Sequence, residues 1–191
     1  APATYSLAAY RPRPLAADAP ALERVLAQAA RLPPLGPEAP QAHLALRAEA
    51  ERLFAAEKPF EAFLSMLEDH FSTGALVDKL SPQQQLAMQA CQPIHDLTRA
   101  LLAKDKEGIQ AALATVQGLR QQHGLEQPVL ALFEGNLRAK LGQRQAAMAL
   151  YLQVLQAKPH MAAAYQDLGD ALYAQFDAPN AWRSWDAGRA M

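Results

Sequence analysis

The sequence predicts an all-α protein, an α-solenoid of antiparallel helical hairpins, and three observations carry the prediction. The first is a period. Gly135, Ala147 and Tyr151 recur 34 residues later as Gly169, Ala181 and Trp185, small–small–large in fixed register, which is how stacked supersecondary units announce themselves. The second is composition. Apolar residues make up 51% of the chain and aromatics only 7%, so the core is built from Ala and Leu, which lead the helix-propensity scale. The third is that hardly any stretch alternates with period 2 in β-branched residues, so no strand is assigned.

Taken in order, residues 1–40 hold eight of the chain's 14 prolines. Arg11-Pro12-Arg13-Pro14 cannot be helical and reads as extended. One short helix fits from about Asp18 to Arg31, with Asp18 as N-cap and Leu22, Val25, Leu26 and Ala29 on one face; Leu32 to Pro40 is a loop. Residues 1–17 read as a mobile tail or as an arm anchored by Tyr5, Leu7 and Tyr10.

From Gln41 to Glu57 the apolar positions suggest an amphipathic helix. Pro59 opens the next, with Phe60, Phe63, Leu64 and Leu67 on a stripe that ends at Ser72-Thr73-Gly74. Ala62 takes the small-residue crossing position of a divergent hairpin, with Ala50 twelve residues before it. Ser81-Pro82-Gln83-Gln84 is a capping-box start for a helix to about Ala103, kinked or broken near Cys91-Gln92-Pro93 because proline removes a backbone bond and clashes with the preceding turn. Asp105 caps a helix carrying Ile109, Leu113, Val116 and Leu119 that stops at Gly124, with Ala111 or Ala112 at its crossing.

In residues 128–191 the spacing is regular. Two helices joined by a tight turn approach closely where each bears a small residue, which sets Gly135 against Ala147 and Gly169 against Ala181. The aromatic one turn later, Tyr151 or Trp185, then fills the space towards the neighbouring hairpin. Gly142 marks a helix stop and Pro159 a helix start. In all, eight or nine helices are expected.

The run Tyr165, Leu168, Gly169, Leu172, Ala181, Trp185, with Pro159 before it, resembles the signature of the tetratricopeptide repeat (TPR) family. The copy at 128–161 matches at Gly135, Ala147, Tyr151 and Pro159 but has Glu134 and Arg138 where leucine and an aromatic are usual. The resemblance covers about a third of the chain and divides it into a Pro-rich N-terminal arm, 1–40, with one short helix, and a TPR-like helical-repeat domain, 41–191. It implies a superhelix whose first helices line a concave groove that binds a peptide. Carried over by position, the groove residues are Val129, Leu132, Asn136 and Lys140, then Gln166, Asp170, Tyr173 and Ala174. Gly135, Ala147, Tyr151, Gly169, Ala181 and Trp185 are the packing positions. Asn136 matches an asparagine used by members that clamp a C-terminal carboxylate, but the second copy offers Asp167 and Asp170 where the clamp needs cations.

Other chemistry finds little support. The formal net charge is −1 with no basic cluster, so nucleic acid is not an expected partner. No apolar run approaches the roughly 20 residues that span a bilayer. His43, His70, His95, His123 and His160 stand singly, in no metal-binding spacing. Glu68-Asp69-His70 diverge around a helix and read as a solvated helix end. Cys91 and His95 lie four apart, but Pro93 between them spoils a thiol–base geometry. No serine sits in a nucleophile elbow. The expectation is therefore no enzyme, no metal and no cofactor.

What remains is protein or peptide binding, with a structural role in a larger assembly as the alternative. The chain starts at Ala1 without methionine, so it is expected to be either a chain whose leader was removed or a piece of a longer protein; the compartment stays open between cytoplasmic and periplasmic or secreted. Two further expectations concern uncovered apolar surface. Because Val129, Leu132 and Phe133 make the expected groove wall unusually apolar, residues 1–31 should pack back on the helical array rather than extend free. Trp182, Trp185 and Met191 should meet either a second copy or a neighbouring element of the same protein.

Overall fold

The computed structural model describes residues 19–32, 39–74 and 80–191. Among these the chain is all α-helical, in ten helices: α1 Ala19–Ala29, α2 Ala39–Ala55, α3 Pro59–Thr73, α4 Pro82–Gln89, α5 Gln92–Leu101, α6 Lys106–His123, α7 Pro128–Lys140, α8 Arg144–Ala157, α9 Ala162–Tyr173 and α10 Ala178–Ala190. Residues 1–18, including Tyr5, Leu7, Tyr10 and the expected cap Asp18, lie outside the described residues.

Local chemistry sets most boundaries. Ser81 accepts from the Gln84 amide while the Gln84 side chain accepts from the Ser81 amide, the reciprocal capping box that opens α4. Asp105 caps α6 through the Gly108 amide at 2.8 Å. Gly74 and Gly142 turn the chain out of α3 and α7 at φ 70° and 77°, a region that costs glycine little. The helix expected over 82–103 is two helices, which is why the count is ten. Pro93 falls in the first turn of α5 and cannot continue α4 through it, so the chain extends at Cys91. Pro159 does not open α9. Lys158 N–H closes back on Val154 O at 2.7 Å and Met161 N–H on Lys158 O at 3.1 Å, which places the proline in the connecting turn and the helix start at Ala162.

Successive helices pack on one another from α5 to α10, while α2 packs on α3. Small residues line the crossings. Ala50, Ala62, Ala100, Ala112, Ala147 and Ala181 are all buried. Ala111 is exposed, so Ala112 is the crossing residue of α5–α6, and Ala100 precedes it by the same 12 positions that separate Gly135 from Ala147.

The N-terminal helices decide which surface remains open. α3 lies against α5, α7 and α9, with the Phe71 and Phe133 rings edge to face at 5.7 Å. α1 packs instead on α8 and α10, its Leu22, Val25, Leu26 and Ala29 joining the common core. The expectation that the N-terminal region packs back on the helical array holds for its described residues, 19–32, although it is α3 and not α1 that packs on the helix bearing Val129, Leu132 and Phe133. Being flanked by α2 as well, α3 buries Glu68 and Asp69, which the sequence reading left in solvent. Each has a partner, Lys158 at 2.7 Å for Glu68 and His43 at 2.6 Å for Asp69, as buried charges require.

Candidate functional site

Between the C-terminal end of α5 and the C-terminal halves of α7 and α9 lies an open cleft of about 600 Å³. Leu101, Phe133, Leu137 and Ala171 supply apolar wall, and Asn136, Lys140, Arg144, Tyr151, Asp167 and Asp170 supply polar groups.

The placement of those polar groups begins with glycine. A Cβ on Gly135 would stand 2.5 Å from Cε1 of Tyr151, and one on Gly169 would stand 2.3 Å from Nε1 of Trp185. What lies over each bare backbone is the aromatic ring sixteen residues on, rather than Ala147 or Ala181, both of which are fully buried. Crossing the glycine brings the polar atom of each ring to the next residue. Tyr151 Oη donates to Oδ1 of Asn136 at 2.7 Å, and Trp185 Nε1 donates to Oδ1 of Asp170 at 3.0 Å. The same glycine–polar–aromatic device is therefore built twice, in register, and both polar residues line the cleft.

With its oxygen accepting from Tyr151, the Asn136 side chain also acts on the Asp167 carboxyl, favouring its charged form. Burial raises the Asp167 carboxyl to about 6; Asn136 opposes the rise and the Asp170 charge adds to it. Burial also pushes the Tyr151 phenol up, reinforced by Asp167 and Asp170, so Tyr151 remains a donor at any ordinary pH. Gln166 donates to the same Asp170 oxygen at 3.2 Å. Lys140 and Arg144 stand at the cleft without an ion pair among the described residues.

The groove positions divide accordingly. Asn136, Lys140, Asp170 and Ala174 line the cleft, and Gln166 reaches it through Asp170. Val129 and Leu132 do not face a groove: they are 0% and 1% exposed because α7 is enclosed by α3, α6 and α8. Tyr173 lies outside the cleft at its edge, 59% exposed. Its ring centroid is 5.7 Å from that of Trp185, which is 5.3 Å from that of Trp182. Asp167 and Arg144 were not assigned to the site from sequence, nor was the hydroxyl of Tyr151. The signal available for the last was the register itself, since Asn136 and Asp170 each follow a repeat glycine.

Beneath this face lies a charge cluster. Glu134 is buried and accepts from Arg120, from Arg138 at 2.8 Å and from Gln117 at 3.1 Å. Burial acts to raise the Glu134 carboxyl, but those donors outweigh it and hold the group below the usual range. The polar pair at 134 and 138, a departure from the leucine and aromatic of the resembling signature, is thereby satisfied inside the fold.

Elsewhere, Cys91 precedes α5 while the His95 ring meets Gln89 O at 2.7 Å, so the two do not form a thiol–base pair. Among the described residues no group of three or more His, Cys, Asp or Glu side chains is placed to hold a metal ion. No described helix is long and apolar enough to cross a membrane. Comparison with protein-family models, with curated proteins and with solved structures returns no match.

Proposed function

We propose that the chain is a TPR-like protein-interaction module, with α5 to α10 as a short solenoid whose cleft between α5, α7 and α9 takes a peptide or an extended segment of a partner protein. One observation carries the reading. Asn136 and Asp170 are each held by an aromatic donor from the following helix and line one cleft, with Lys140 and Arg144 uncommitted beside them. Groups fixed before binding lose little freedom when a ligand arrives, and an apolar wall with a few convergent polar groups is the usual make-up of a recognition site. Both acceptors and donors line the cleft, which suits the alternating N–H and C=O groups of an extended peptide.

Selection of a displayed random-peptide library on the immobilised chain tests this. A consensus peptide should emerge whose affinity falls at least about tenfold, some 1.4 kcal/mol, on Lys140→Glu or Asp170→Asn. Selected peptides that tolerate both substitutions would place binding elsewhere and remove the proposal.

A further inference from the structure

We infer that the aromatic edge beside the cleft, formed by Tyr173, Trp182 and Trp185 with Asp170, receives an arginine side chain of the partner segment. This deepens the reading above and rests on it. Trp185 lies against Gly169, its indole N–H tied to Asp170. Tyr173 and Trp182 flank it, inclined at 42° and 88° to its plane, so the three rings present faces in different directions. The outer two are 59% and 57% exposed, an arrangement in which large rings contribute little to the core.

An apolar ligand alone does not satisfy this site. Asp170 is exposed, and its hydrogen-bond partners, Trp185 and Gln166, are neutral donors. Arg183 is committed to Glu23 and Arg189 to Asp186, and Lys140 and Arg144, which line the same cleft, form no ion pair with Asp170 among the described residues. Covering the carboxylate with hydrocarbon would strip its water without returning a bond. A cation answers both halves of the site, since ring faces attract positive charge and the free Oδ2 of Asp170 accepts a charged donor. Guanidinium fits better than ammonium because its plane stacks on an indole while its edge donates, and it gives up its water more readily.

The test is built into the composition. The chain has two tryptophans and both belong to this edge, so tryptophan emission, excited selectively over tyrosine, reports this edge. An N-acetyl-Gly-Arg-Gly amide should change emission saturably, and the citrulline peptide, isosteric and neutral, should not. Trp182→Ala, which removes an exposed ring and should leave the thermal transition in place, and Asp170→Asn should each weaken the arginine peptide roughly three- to tenfold, the range of a partly desolvated cation–π contact. The lysine peptide should bind more weakly than arginine. Equal response to arginine and citrulline, equal affinity for lysine and arginine, or no saturable change would each overturn the assignment. Failure here alongside library-selected peptides that depend on Lys140 would leave the cleft reading standing. Saturable arginine binding alongside selected peptides indifferent to Lys140 would do the reverse.

Discussion

The hydroxyl of Tyr151 reaches Oδ1 of Asn136 at 2.7 Å by passing over Gly135, and the Trp185–Asp170 bond repeats the arrangement over Gly169. In each copy the glycine exists for the ring that crosses it. Its lack of a side chain then serves the site, because a ring denied that path would not hold the next residue towards the cleft.

A methyl group should therefore be felt differently in the two copies. Gly135→Ala gains helix propensity of up to about 1 kcal/mol, but the Tyr151 ring is buried and has nowhere to go. The net expectation is a loss of about 1–3 kcal/mol in urea unfolding, the usual cost of overpacking. Trp185 is only partly buried and can swing outward, so Gly169→Ala should cost less while breaking the indole bond to Asp170. The indole N–H resonance of Trp185 should shift in the second variant. Equal losses for both would mean that the rings are not what confines these positions.

The Arg120–Glu134 pair gives a second test. Both residues are buried, and Arg120 also donates to Leu125 O while its Nε has no partner. Removing one side strands a charge in the core. Glu134→Gln should destabilise by about 3–5 kcal/mol, and the double variant Arg120→Met, Glu134→Leu by less than that single change. A double variant at least as unstable as Glu134→Gln would show that the pair contributes more than its own desolvation costs.

These two cases mark what was legible in the chain. Fixed-period spacing marks Gly135 and Gly169 as points of close approach, although what approaches is Tyr151 or Trp185 and not the expected Ala147 or Ala181, and caps such as Ser81 and Asp105 act within one turn, so a local pattern suffices to read them. The path of α3 is different. Its residues Phe71 and Glu68 meet Phe133 and Lys158 at separations of 62 and 90 positions, and nothing periodic encodes which face a distant helix will cover. For that reason Val129 and Leu132 looked like groove wall and Glu68 and Asp69 like solvated surface. Glu134 looked like a defect of the repeat because its main partner, Arg120, comes from the preceding hairpin.

Asp167 carries a pH dependence whose sign can be worked out. Its carboxyl is raised to about 6 in the fold, against about 3.9 for an unfolded aspartate. Between those values the native chain binds the extra proton. Stability from this group is thus fully present below about pH 4, falls as pH rises towards 6 and stays lost above it. Glu134 runs the other way: its depressed carboxyl supports the fold above the usual glutamate value of about 4.3 and withdraws that support only at lower pH. The two windows therefore adjoin rather than overlap. Asp167→Asn, which keeps a partner for Asn136, should stabilise the chain at pH 7 by on the order of 1 kcal/mol, a full two-unit shift being discounted for solvent access at the cleft. The gain should shrink through pH 5 and vanish near pH 4. Urea unfolding at these pH values, with a carbon-13 titration of the Asp167 carboxyl, checks both parts. A carboxyl midpoint near 4, or a gain that is the same at every pH, would mean that Asp167 is solvated like a surface aspartate and that burial at the cleft does not disfavour its charge.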